Sequence, residues 1–577
     1  MGKFLNSKKA SMLFKDDVES AYFVDKTALL DELIPVIDPR VRAGNALHRE
    51  ESSPGRSSKY ICITRPRRFG KSMAANMIAA YFGKGRNTHS IFDNLAVSSR
   101  DWYQTHINQH NVIHIALNSL PADCTSYRQY IQRIHGRLMH DLIQAYPDAG
   151  IEEEDALWDA LNDILEYETE DVKFIFVLDE WDFIFHRDFV TDKNRSEYID
   201  FLRNLLKDQP YVELAYMTGV LPIAKYSSGS ELNMFLEYDM VTKKKFSEYF
   251  GFLDSEVDAL FEAYSHNTAN PEISRKSLCV WYDGYCTAAG NRLYNPRSVV
   301  CALTDNELSN YWTSSGPYDE IFYYIRNNIK DVREDLALMT AGERIRIVLQ
   351  GYAATEAALE TKNQIYSAMV VYGLLTYEDS AVFIPNKELM DKYNELLLTN
   401  DSLGYVHRLA KVSEKMLSAT LSGDTKTMSE ILKFAHDTES PILSYNSEIE
   451  LSAVVNLVYL SARDRYRVER EDTAGEGFVD FIFYPENRNA VGIILELKVD
   501  STPEEALQQI IAKNYILRFE GKIGERAKYQ GKILGVGISY NKKTKKHMCK
   551  VIVLRETIIP QPVPISVLQS NSCHYCE

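Results

Sequence analysis

A surplus of positive charge is what this chain most plainly lacks. Its 577 residues carry 65 Lys and Arg against 81 Asp and Glu, a formal net charge of -16. The molecule as a whole is therefore not drawn toward a polyanion, and such a partner has to be held by a local basic patch. One stretch is basic enough, Lys542, Lys543, Lys545, Lys546, His547 and Lys550, although a charge run is ordinarily a solvated face. Long apolar runs are missing too. Nothing approaches the ~20 residues that cross a bilayer, and the opening MGKFLNSKKASMLF has no apolar signal block. The expectation is a cytoplasmic protein without a membrane partner. Cysteine is sparse: Cys62, Cys124, Cys279, Cys286, Cys301, Cys549, Cys573 and Cys576 are scattered along the chain, which argues against a disulfide framework. Only Cys573 and Cys576 form a CxxC. Even with His574 between them they fall short of the four ligands a zinc site takes, and they read as a loose tail.

What is present is an ordinary globular composition, 45% hydrophobic and 25% charged, spread over a chain too long for one core. Four apolar strand-like runs open it: Tyr60–Thr64, Val112–Asn118, Phe174–Leu178 and Val212–Met217. Between the last two, Tyr198, Phe201, Leu202 and Leu205 recur at helical spacing. Alternating strands and helices predict an α/β fold, a parallel sheet with helices on both faces, over residues 1–225. The polar, Gly/Pro/Ser-rich stretch 38–58 reads as a flexible insertion. A helical lid region is expected over 226–350 and a helical, winged-helix-like linker over 351–435, where a helix and hairpin fit Ile365–Lys387. From 436 to 560 strands return at Tyr466–Arg470, Phe478–Tyr484, Gly492–Leu497, Ile533–Tyr540 and Val551–Leu554. A helix at Glu448–Leu460 precedes them and one at Pro503–Phe519 interrupts them. Residues 561–577 form the tail.

Directly after the first strand comes Arg65-Pro-Arg-Arg-Phe-Gly-Lys-Ser72. Its closing half is that of a phosphate-binding P-loop: Gly70 permits close backbone approach, Lys71 reaches β- and γ-phosphates, and Ser72 can ligate Mg²⁺. The helix that follows aims its N-terminal dipole at the anion. The third strand ends in Asp179-Glu180, placing a Mg²⁺-holding carboxylate beside one that polarises the attacking water. A polar γ-phosphate sensor is expected at Thr218. Arg65, Arg67 and Arg68 could stabilise phosphate charge or bind a partner's carboxylates, and Arg297 is a weaker candidate for a sensor arginine. The predicted cofactors are ATP and Mg²⁺.

Taken together, FVDKT (Phe23–Thr27), RPRRFGKS, VLDEWD (Val177–Asp182), MTGV (Met217–Val220), WYDGY (Trp281–Tyr285), YNPRS (Tyr294–Ser298) and IPNKE (Ile384–Glu388) resemble the AAA-ATPase-like family of bacterial proteins. Arginine in place of the first P-loop glycine is similar to that family's own pattern. The segment LPIAKYSSGSE and Trp181, where Tyr is more usual, depart from it. The resemblance implies a PD-(D/E)XK nuclease domain at the C-terminal end.

The residues there suggest the same chemistry. Asp480 lies in one strand, and Glu496 and Lys498 end the next, sixteen and eighteen residues later. Residues two apart on a strand share a face. A converging Asp and Glu can hold Mg²⁺ or Mn²⁺, and Lys498 can orient or deprotonate the water such an ion activates. Gln509, on the following helix, is the favoured supporting residue, and Glu450, on the preceding one, a weak further ligand. The leading expectation is an ATP-regulated endonuclease acting on DNA or RNA, a design that fits defence against foreign nucleic acid. The alternatives are a nucleotide-dependent switch or scaffold that binds nucleic acid without cutting it, and a regulator using the winged-helix-like element. ATPases of this type commonly complete their sites with an arginine from a neighbour, so a homo-oligomer is also expected.

Overall fold

The computed structural model describes residues 2–41, 59–121, 123–168, 172–223, 232–312, 330–349, 361–437, 448–474, 477–485, 490–519 and 529–556. Most of the expected insertion, most of LPIAKYSSGSE, and the tail with Cys573, His574 and Cys576 lie outside them. The chain divides into two compact units, Met1–Ile329 with Arg344–Lys392, and Lys330–Glu343 with Tyr393–Glu577.

The first unit is built on a parallel sheet of β1 (Tyr60–Thr64), β2 (Asn111–Ala116), β3 (Phe174–Asp179), β4 (Val212–Gly219) and β5 (Leu236–Tyr238), in the order β2-β3-β4-β1-β5. Runs such as YICIT and FIFVLD are buried throughout and almost wholly apolar because both faces of the sheet are covered. Ile61, Ile63, Ile175, Val177 and Leu214 pack with Phe14, Leu33, Ala75 and Ile78. Their neighbours Cys62, Phe176, Leu178, Ala215 and Met217 point the other way, onto Leu138, Leu161, Tyr198 and Leu202. The helix Asp192–Leu206 starts in a capping box between Thr191 and Asn194 and buries Tyr198, Leu202 and Leu205.

Helices Asp254–Asn267, Arg275–Tyr282 and Pro296–Asp305 form a second core in this unit around Val257, Tyr264, Tyr282 and Val299. Two short ladders accompany it. One pairs β6 (Tyr285–Cys286) with β7 (Arg292–Leu293). The other sets β8 (Ile345–Arg346) beside the hairpin of β9 (Thr376–Glu378) and β10 (Ala381–Phe383), which follows the helix Lys362–Val371.

The second unit carries a mixed sheet, β11 (Tyr466–Ala474), β12 (Gly477–Pro485), β13 (Gly492–Val499), β14 (Ile533–Asn541) and β15 (Lys546–Arg555), in sequential order. All neighbours are antiparallel except β13 and β14, whose parallel pairing requires the crossover made by the helix Pro503–Ala512. This helix ends earlier than the expected Phe519: Asn514 takes φ +49° and the chain continues as a 3₁₀ turn, Tyr515–Phe519. Val479, Ile482, Ile494, Leu507, Ile510, Tyr515 and Ile533 form the core beneath.

Candidate nucleotide and nuclease sites

The chain leaves β1 at Thr64 and reaches the helix Lys71–Phe82 through a six-residue loop. Gly70 caps that helix at φ +87°, a left-handed conformation that strains any residue bearing a Cβ. Phe69 anchors the loop: its buried ring meets Tyr285 edge-on at 5.0 Å, and its carbonyl accepts from the Gly251 N–H at 3.3 Å. Lys71 is buried, and its ammonium donates to the carbonyls of Arg65 and Pro66 at 2.9 and 2.8 Å. Burial pulls its pKa down to about 8 against the opposing pull of Asp182, Asp179 and Glu180. Ser72 is exposed at the helix start.

Because β4 lies between β1 and β3, Thr218 at its end meets Asp179, and the threonine hydroxyl donates to Asp179 Oδ1. The Glu180 N–H donates to the same hydroxyl oxygen at 3.4 Å, from a backbone at φ +56°. Burial and the neighbouring Asp179 raise the Glu180 carboxyl pKa, while a hydrogen bond with Asn118 opposes the rise. Gly70, Lys71, Ser72, Asn118, Glu180 and Asp182 line a cavity of about 520 Å³ with Arg67, Arg68 and Arg187. Cations and a helix N-terminus thus face carboxylates across a space sized for a small ligand. The hydroxyl and carboxylate oxygens of Ser72 and Asp179 are the donor type Mg²⁺ takes.

Arg65 does not join this set. Its guanidinium is only 1% exposed. It donates to the carbonyls of Thr64, Tyr238 and Phe246 at 2.8, 2.7 and 3.2 Å and lies over the Phe250 ring. It therefore ties β1 to β5 and the segment beyond, while its backbone carbonyl holds the Lys71 ammonium. Arg68, exposed at φ +71°, does reach the cavity. Arg297, exposed on the first turn of its helix, lies near enough to help depress the Arg68 pKa but does not line the cavity.

In the second unit, the β12–β13 ladder pairs Phe481 with Leu495, so the next step along it faces Asp480 toward Glu496. Asp480 Oδ2 accepts from the Leu497 N–H at 2.7 Å. Glu496 is 2% exposed. Its Oε1 accepts from Lys498 Nζ at 3.3 Å and from the Gln509 amide. The same amide reaches the Tyr515 hydroxyl at 3.4 Å. Gly537 of β14 seats the helix that carries Gln509: a Cβ there would stand 2.3 Å from the Pro503 carbonyl oxygen. Burial, then the neighbouring Asp480, pushes the Glu496 pKa up to about 7. Its Oε2 is buried with no hydrogen-bond partner among the described residues, an orphaned acceptor that fits a bound cation. Glu450 sits on the helix Glu448–Val458. Among the described residues no three His, Cys, Asp or Glu side chains converge as ion ligands.

Residues 55–228 match the family model described as predicted AAA-ATPase, and residues 452–549 match that of the PD-(D/E)XK nuclease superfamily. The chain carries an AAA-ATPase-like region and a PD-(D/E)XK nuclease-superfamily region. The uncharacterised protein of the vnfD 5′ region of Azotobacter chroococcum mcd 1 is 24% identical over 305 residues, 51% of each chain. This chain thus spans about half the length of that curated relative. Among solved structures, the Walker-type ATPase of Pyrococcus abyssi is 12% identical with a TM-score of 0.34, over 58% of this chain and 90% of its own. The ORC2 protein of Aeropyrum pernix, in ADPNP and ADP complexes, is 10% identical with a TM-score of 0.31, over 60% and 87%. No helix among the described residues is long and apolar enough to cross a membrane.

The sequence reading missed Asp182 and Asn118 in the AAA-ATPase-like region. Asp182 is buried and accepts from the N–H groups of Val220 and Leu221 at 2.9 and 2.8 Å, which clamps the end of β4 beside β3. Its signal was the third acidic residue of VLDEWD. Trp181, the departure from the family pattern, is fully buried and packs edge-on against Phe185. In the nuclease-superfamily region Tyr515 was missed; it meets Gln509 from the 3₁₀ turn that follows the left-handed Asn514.

Proposed function

We propose that this protein binds and hydrolyses ATP and that its nucleotide site governs a metal-dependent nuclease acting on nucleic acid in the cytoplasm. Lys71 and the helix N-terminus hold the β- and γ-phosphates, with Arg68 as further positive charge. Ser72 and Asp179 hold Mg²⁺, Glu180 takes the proton of the attacking water, and Thr218 positions Asp179 and the Glu180 backbone. Residues 1–225 form the ATPase core, 226–350 a lid, 351–435 a linker and 436–560 the nuclease.

The observation that carries the nuclease reading is the buried Glu496 carboxylate, flanked by Asp480, Lys498 and Gln509, with one oxygen left unpartnered. Asp480 and Glu496 would hold Mg²⁺ or Mn²⁺, which supplies charge stabilisation at the phosphodiester and acidifies water. Lys498 would orient the attacking water, and Gln509 would fix the Glu496 rotamer. Defence against foreign nucleic acid suits such a design. A second reading, binding without cutting, draws on the finding that no three His, Cys, Asp or Glu side chains cluster as ion ligands among the described residues. The test is cleavage of mixed DNA and RNA substrates with Mg²⁺ or Mn²⁺. Cutting by the wild type that is lost in a folded Lys498→Ala variant supports the nuclease, and intact binding without cutting supports the second reading.

A further inference from the structure

We propose that the hairpin joining β14 to β15 is a contact surface for the phosphate backbone of the nucleic acid substrate. The proposal rests on the nuclease reading above and extends it to a second place on the same sheet.

Register puts the hairpin beside the site. Glu496 pairs with Gly537 and Gly537 with Lys550, while Lys498 pairs with Ser539 and Ser539 with Met548. Residues directly opposite one another share a face, so Lys550, and Lys546 four pairs further on, project from the face that carries Glu496 and Lys498. The ladder closes at Asn541 and Lys546, leaving Lys542–Lys545 as the loop. At about 3.3 Å per residue the loop begins roughly 10 Å along the strand from the Lys498 row. Successive phosphates of one DNA strand advance roughly 3.4 Å along the helix axis, so a strand cut beside Lys498 would reach the loop within a few nucleotides.

The pleat also sorts the charge. Lys542, Lys543, Lys545, Lys546 and Lys550 are exposed. His547, grouped with them by sequence, is buried with its ring 4.7 Å from that of Tyr540, so it leaves the cluster. Lys542 pairs with Asp500 at 3.6 Å and Lys550 with Glu504 at 3.0 Å. Lys543, Lys545 and Lys546 make no ion pair with any described residue. The loop is held in shape by Asn541, whose Oδ1 accepts from the Thr544 N–H and hydroxyl at 2.9 and 3.0 Å. Lys545 takes φ +54°, a hairpin position where glycine or asparagine is less strained. A fixed cluster of unneutralised ammonium groups on a molecule of net charge -16 is the local patch a polyanion requires. Its alignment with the two carboxylates favours nucleic acid over a membrane surface.

The test is a triple variant of the full chain, Lys543→Gln, Lys545→Gln and Lys546→Gln, with unchanged circular dichroism and thermal unfolding. Binding to a short duplex DNA and to a single-stranded RNA is measured in EDTA over a range of salt. The expected result is weaker binding to every sequence and a salt dependence shallower by about 0.9 per lost duplex contact, up to three contacts. An unchanged slope overturns the proposal, as does a wild type that binds neither nucleic acid. Loss of binding to phosphatidylserine vesicles alone assigns the patch to a membrane and also overturns it. The two readings separate cleanly. A shallower slope in a protein that never cuts keeps the surface and removes the nuclease, whereas metal-dependent cutting with an unchanged slope does the reverse.

Discussion

Lys71 and Glu180 line one cavity, yet their removal should have different consequences. Lys71→Ala should weaken ATP binding by roughly ten- to a hundredfold or more, the worth of a charge-assisted hydrogen bond to phosphate; equal affinity in a titration would remove the lysine from the site. Glu180→Gln should still bind ATP while hydrolysis falls by roughly 10²- to 10⁴-fold. Phosphate release at the wild-type rate would take the general-base role from it. Gly219 is a structural counterpart: a Cβ there would stand 2.4 Å from the Trp181 ring and 2.8 Å from Asp182 Oδ1. Gly219→Ala should cost about 1–3 kcal/mol by overpacking, read as a lower denaturant midpoint. At this scale the sequence shows which residue types stand near the loop and not where they point. Nothing in RPRRFGKS tells Arg65 from Arg68. The carbonyls of Tyr238 and Phe246 that capture Arg65 belong to residues more than 170 positions away.

Elements were more readable than side chains where their apolar runs were long. The runs at Tyr60–Thr64, Phe174–Leu178 and Gly492–Leu497 fall on β1, β3 and β13, because strands covered on both faces are nearly continuous in apolar residues. The alternation that sets Glu496 beside Lys498 follows from the two-residue repeat alone. Short pieces were not readable. β5 has three residues and β8 two, too few for a pattern, and each exists only because a distant strand offers its edge. The break at Asn514 was equally hidden, since a left-handed asparagine leaves helical periodicity intact on either side. The helix Pro503–Ala512 supplies a prediction at this scale. Gly537→Ala should lift it from β14, draw Gln509 away from Glu496, and lower Mn²⁺ affinity while the sheet still forms. Unchanged Mn²⁺ binding would show that the helix does not set the carboxylate.

Two compact units in one chain set the expectation for the whole molecule, since such a protein need not unfold in a single step. Calorimetry should resolve a transition raised by ATP with Mg²⁺, and the rise should shrink markedly in Lys71→Ala at the same ATP concentration. A ligand at a hundred times its Kd stabilises the folded state by about 2.7 kcal/mol. The division itself was only partly legible, because the second unit takes in Lys330–Glu343 from between the two segments of the first, an exchange no local composition marks. The claim that binds the two halves together is that the nucleotide site controls the cut. Its most direct test is cleavage of DNA and RNA in Mg²⁺ or Mn²⁺, with and without ATP, by the wild type, Lys71→Ala and Lys498→Ala. The account predicts cutting that responds to ATP in the wild type, is lost in Lys498→Ala and is no longer ATP-responsive in Lys71→Ala. Cutting indifferent to ATP and to Lys71 would contradict it.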